Sequence, residues 1–152
     1  MNKLNLKHKL NLKHKLKINN KHTPTTLTDA TIFSKAHSIS FDKPVTKLNV
    51  EKLVKQLIQD IGRPLAHNGI IVGHIKILAK VPNEEFLFLS LTRLDRLDVK
   101  SSSQWQTGLS SEFDSVNLDI NVLVFGHSKK AVEKIVNDSL AILHRDSSCD
   151  NC

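Results

Sequence analysis

Three stretches of this chain alternate apolar and polar residues with a period of two, and no other feature restricts the fold as strongly. "NGIIVGHIKILAKV" sets Ile71, Gly73, Ile75, Ile77, Ala79 and Val81 on one side and His74, Lys76 and Lys80 on the other. "EFLFLSLTR" does the same with Leu87, Leu89 and Leu91 inward, and "VNLDINVLVFG" with Val116, Leu118, Ile120, Val122 and Val124. Side chains along a strand point alternately to opposite faces, so each run offers one apolar and one polar surface. Pro82 and Asn83 in "VPNEEF" predict a tight turn that joins the first two runs as a hairpin. The apolar side of such a sheet must be covered.

Two segments of helical period supply the cover. "NVEKLVKQLIQDIG" carries Val50, Leu53, Val54, Leu57, Ile58 and Ile61 on one stripe, with Asn49 suited to the N-cap, Gly62 just past the end and Pro64 blocking continuation. "HSKKAVEKIVNDSLAIL" places Val132, Ile135, Val136, Leu140 and Leu143 along one side, with Ser128 as its N-cap. "HSISFD", residues 37–42, reads as an optional short strand ended by Pro44. Residues 95–115 are serine-rich and read as a long loop that Trp105 pins to the body. The expected fold is α+β: a two-layer sandwich with an antiparallel sheet of three or four strands, two helices on one face, and the order (β)αβββα.

Charge divides the chain. The 22 basic residues include seven lysines within residues 1–22, where no acid occurs, so the remainder balances 15 basic against 15 acidic groups. Any general attraction to polyanions therefore belongs to the tail. The tail repeats "NLKHKL" at 5–10 and 11–16, and from Leu4 to Ile18 every even position is Leu, His or Ile. A six-residue repeat advances about 240° per step on a helix of 3.6 residues per turn, which excludes a helical stripe. The expected organisation is a basic tail and linker over 1–36, one α+β domain over 37–144, and a polar tail over 145–152. No apolar run is long enough to span a membrane as a helix. An acid-poor, lysine-rich leader also leaves open an organelle transit peptide.

The uncovered sheet face is the expected binding surface, presenting His74, Lys76, Lys80, Phe86, Phe88, Asn117, Asp119, Asn121 and Phe125. Its large apolar members call for a protein partner or a second copy of the chain. His127, Ser128, Lys129 and Lys130 form a second candidate, for an anion or a nucleic acid, because cations at a helix start favour a bound phosphate. A third reading is a small enzyme centred on His74, His127 and Asp119, although no nucleophile or second carboxylate is spaced to complete a catalytic set. No cofactor or metal is expected. Cys149 and Cys152 in "CDNC" make half of a zinc site and need further ligands, of which His144 is one candidate. Two cysteines placed there cannot staple a core, so a reducing cytoplasm is the expected setting.

The segment "SKKAVEKIVNDSLAIL" resembles the last helix of double-stranded RNA-binding domains, which begin that helix with a lysine pair and share the order helix, three strands, helix. The resemblance covers residues 128–143 and implies contact with duplex RNA through Lys129 and Lys130. The chain departs from it in three places. The glycine-rich approach is shortened to "FGHSKK", "VPNEEF" replaces the proline and histidine loop, and Val136, Asn137 and Leu140 fill alanine positions.

Overall fold

The computed structural model describes residues 29–148. The basic repeat and the two cysteines, Cys149 and Cys152, lie outside these residues. The chain runs β1 (Ala30–Thr46), α1 (Lys47–Leu65), β2 (Ile70–Lys80), β3 (Phe86–Arg93), β4 (Arg96–Ser101), β5 (Glu112–Phe125) and α2 (Lys129–Ser148). The strands form one antiparallel sheet in the order β1-β5-β2-β3-β4. Neither helix is long and apolar enough to cross a membrane.

The expected two-layer sandwich of three or four strands thus gives way to a five-strand sheet with two helices, in the order βαββββα. Two differences account for this. The strand expected at 37–42 runs from Ala30, because its helix-side positions Lys35 and His37 are polar and hide the alternation. Pro44 does not end it; the register with β5 shifts between Ser40 and Val45, and the proline sits in that irregular stretch of an edge strand, where no ladder bond is lost. The expected loop over 95–115 also contains β4, which has only Leu97 and Val99 as apolar members and pairs with β3 across a tight turn. β5 begins at Glu112, ahead of the expected Val116.

One face of the sheet is apolar, and both helices pack on it. Ile39 and Phe41 of β1, Ile75, Ile77 and Ala79 of β2, Leu87, Leu89 and Leu91 of β3, and the even positions from Val116 to Val124 of β5 are buried there. Val50, Val54, Leu57, Ile58, Ile61 and Leu65 of α1 face them, as do Val132, Val136, Leu140 and Leu143 of α2. α1 starts two residues before Asn49, with the Thr46 hydroxyl accepting the Asn49 N–H at 3.2 Å. It also continues past Gly62 and Pro64 to Leu65. Gly62 serves packing and not termination, since a Cβ there would meet Leu91 Cδ2 at 2.6 Å. Ser128 caps α2 as expected, accepting the Ala131 N–H at 3.1 Å.

At Gly73 the β2 backbone leaves no room for a side chain against β5. Its φ of +129° lies in the region open to glycine, and a Cβ would stand 2.0 Å from the Leu123 carbonyl oxygen. The pairing of β2 with β3 shifts register between Ile70 and Ile75 around the same point.

Candidate functional site

The strand register arranges the open face in rows that cross the sheet. Ser34, Asn121, Lys76, Ser90 and Asp98 form one row. Ala36, Asp119, Leu78, Phe88 and Lys100 form the next, and Ser38, Asn117, Lys80 and Phe86 a third. His74 lies beside Leu123, which faces Ile32 of β1. The nine residues expected on this surface thus share one side of the sheet, with Phe125 at the end of β5 opposite Ala30.

The polar members are tied to one another. Ser34 donates to Asn121 Oδ1 at 2.7 Å and Ser38 to Asn117 Oδ1 at 2.6 Å, so β1 fixes both amides. Lys80 Nζ lies 2.9 Å from Asp119 Oδ2, both groups open to solvent. Between these ties runs an apolar strip of Leu78, Phe88 and Phe86, with Ile32 and Leu123 farther along the face. Ile32 is 63% and Phe86 38% exposed. Two shallow depressions flank Leu78. One, of about 510 Å³, lies among Ser34, Ala36, Phe88 and Asp119; the other, of about 520 Å³, lies over Lys80, Pro82, Asn83 and Phe86.

Burial lowers the His74 pKa below its ordinary value of 6.5, and the Lys76 ammonium lowers it further. The folded state then disfavours the charged ring. The stabilising contribution is complete above pH 6.5 and is lost as pH falls through the lowered folded-state value. Denaturation in urea at a series of pH values is expected to show stability declining below 6.5, with a shallower decline in His74→Gln.

The structure does not gather the three residues of the enzyme reading. Leu78, the cross-strand neighbour of Asp119, lies four residues along β2 from His74, or about 13 Å. His127 is elsewhere: its Nε2 lies 3.1 Å from the Leu65 carbonyl oxygen, the last residue of α1. The acceptor is a carbonyl, so Nε2 carries the proton and His127 caps a helix end. The Thr31 hydroxyl donates to the His127 carbonyl. Lys129 and Lys130 are exposed in the first turn of α2.

Sequence reasoning missed two side-chain clusters. Lys47, 2% exposed, donates to Glu85 Oε1 at 2.7 Å and to the carbonyls of Gln104 and Thr107 at 3.2 and 3.1 Å. An ammonium has three protons, and here each has an acceptor. The fully buried Trp105 packs beside it, with Nζ 5.7 Å from the ring centroid. This cluster ties the 102–111 loop to the β2–β3 turn and the start of α1, so Trp105 does hold the loop. The second cluster joins β1 to α2. Lys35 donates to Asn137 Oδ1 at 2.6 Å, and the Nε2 atoms of His37 and His144 lie 2.9 Å apart. Burial, then the neighbouring His144 and Lys35, lowers the His37 pKa. No local pattern signals either cluster, because every partner is remote in sequence.

No protein-family model, curated protein or solved structure matches this chain.

Proposed function

We propose that this chain is a non-catalytic association module that binds a protein partner or a second copy of itself through the open sheet face, in the cytoplasm. The observation that carries this reading is the apolar strip of Leu78, Phe86 and Phe88 on the side of the sheet that neither helix covers, continued by Ile32. Aromatic and aliphatic groups bordered by paired polar side chains are the make-up of an interface core with its rim. Paired polar groups such as Ser34–Asn121 and Ser38–Asn117 also keep that rim in one geometry before a partner arrives.

Sedimentation equilibrium of the full chain over a range of concentrations tests the self-association arm. The wild-type mass is expected to rise with concentration, and F86S/F88S to weaken association by about tenfold or more with an unchanged far-ultraviolet spectrum. A wild-type chain that stays monomeric at every concentration rejects that arm.

One observation favours a second reading, nucleic-acid contact. The Thr31–His127 hydrogen bond places the start of β1 beside the start of α2, so the described residues begin near the exposed Lys129 and Lys130, and the lysine-rich residues 1–22 precede them in sequence. Affinity for RNA is then expected to fall steeply between low and high salt. Removing residues 1–22 or introducing K129A/K130A would each flatten that dependence. Binding unaffected by salt rejects this reading.

A further inference from the structure

Asn83 and Glu84, in the turn between β2 and β3, both have left-handed backbones, at φ +80° and +62°. Asparagine visits this region readily because its short side chain bonds to the nearby backbone; glutamate does not, and glycine enters it without steric cost. Glu84 is therefore strained. Its carboxylate is exposed and makes no hydrogen bond or ion pair among the described residues, so no such contact offsets the strain. Backbone strain of this kind collects where a ligand or partner is held.

Glu84 lines the depression of about 520 Å³ at this end of the open face. Leu78, Pro82 and the exposed ring of Phe86 give it an apolar floor. Lys80 lines it as well, but Asp119 holds that ammonium at 2.9 Å and stands on β5, across β2 from Phe86 on β3. Of the two charges in the lining, Glu84 alone is unmatched among the described residues. An aromatic floor beside one open carboxylate suits a planar cation. Guanidinium stacks on an aromatic face while its edge donates to a carboxylate, and it is more weakly hydrated than an ammonium.

We propose that this depression receives an arginine side chain of a separate protein partner, its stem on Leu78 and Pro82 and its guanidinium over Phe86, donating to the Glu84 carboxylate. The inference rests on the association reading of the open face and names the anchor the partner supplies. Arginine is among the residues that dominate interface energetics. A second copy of this chain is poorly equipped to provide one. Its Arg63, Arg93 and Arg96 lie 3.0, 3.0 and 3.9 Å from Asp60, Asp95 and Asp98 of their own chain, and its remaining arginine, Arg145, is not free either.

The test is an amide-resolved NMR titration of the full chain with N-acetyl-arginine amide, its lysine counterpart and its uncharged norleucine counterpart. The arginine compound is expected to shift resonances within residues 78–86 saturably and to bind about fivefold or more tighter than norleucine, with lysine between them. Glu84→Gln should weaken arginine binding about fivefold or more and leave the rest of the spectrum unchanged. Glu84→Gly should lose the arginine compound and yet raise the melting temperature, because glycine relieves the left-handed strain. A glutamate with no ligand to hold would change the melting temperature alone. The proposal is overturned by equal binding of arginine and norleucine, by shifts centred elsewhere, by E84Q keeping wild-type affinity, or by a lowered melting temperature in E84G. Weakened self-association of E84Q in sedimentation would put a second copy in the depression and overturn the assignment to a separate partner. Failure of the arginine compound while F86S/F88S still weakens association removes this anchor and leaves the association reading standing. A chain that stays monomeric yet binds arginine through Glu84 keeps the anchor and loses only the self-association arm.

Discussion

Lys47→Met is expected to destabilise the fold by about 3–5 kcal/mol, the range for removing one member of a buried ion pair. The substitution keeps the length of the side chain but leaves the Glu85 carboxylate and the carbonyls of Gln104 and Thr107 without the ammonium they share. An uncompensated buried carboxylate is the dominant cost. Replacing both members, as K47M/E85L, removes that charge and should restore most of the lost stability, because an apolar pair of similar volume is often neutral or better. Urea denaturation of the two single variants and the double variant reads this directly. A Lys47→Met cost below about 1 kcal/mol would show that water reaches the pair and that the cluster is not a buried one.

Trp105→Ala is expected to cost a comparable amount, about 3–5 kcal/mol, since the indole is fully buried and its loss leaves a large cavity. The same ring covers the Lys47 ammonium, so opening it admits solvent to the ion pair. The two losses should therefore be less than additive: with Trp105 already truncated, Lys47→Met ought to cost distinctly less than in the wild-type chain. A double-mutant cycle followed by circular dichroism measures the coupling, because Trp105 is the sole tryptophan and its fluorescence is lost with it. Limited proteolysis offers a second readout, with cleavage expected within residues 102–111 once the loop loses its anchor. Full additivity would mean that the ring and the ammonium act independently despite their proximity.

Local periodicity made the stripe of α1, the buried side of α2 and the three alternating strands legible, because each of these elements declares its apolar face within its own segment. The ends of α1 were less so. Gly62 and Pro64 look like stop signals, yet one is small to admit Leu91 and the other sits in the last turn. β4 and the first half of β1 were hidden for a different reason. Val99 and Leu97 are too few to show a period, while Lys35 and His37 occupy helix-side positions whose partners are Asn137 and His144 on the far end of the chain. Strand order is likewise a long-range property and leaves no local mark. For the open face, alternation alone identified which residues share a side. It did not show that serines of β1 would hold Asn117 and Asn121, nor that Lys80 would lie against Asp119.

The outermost ladder of the sheet joins the beginning of the described chain to its last strand, with Ala30 opposite Phe125. During synthesis β2, β3 and β4 can zip together soon after they emerge, whereas β1 has no strand to pair with until β5 has been made. At about 5–20 residues per second that delay is on the order of ten seconds. For that interval a nascent segment bearing Ile32, Phe33, Ile39 and Phe41 lacks its paired strand, and an open strand edge with apolar side chains is prone to aggregate. Slower elongation between β1 and β5 lengthens that exposure.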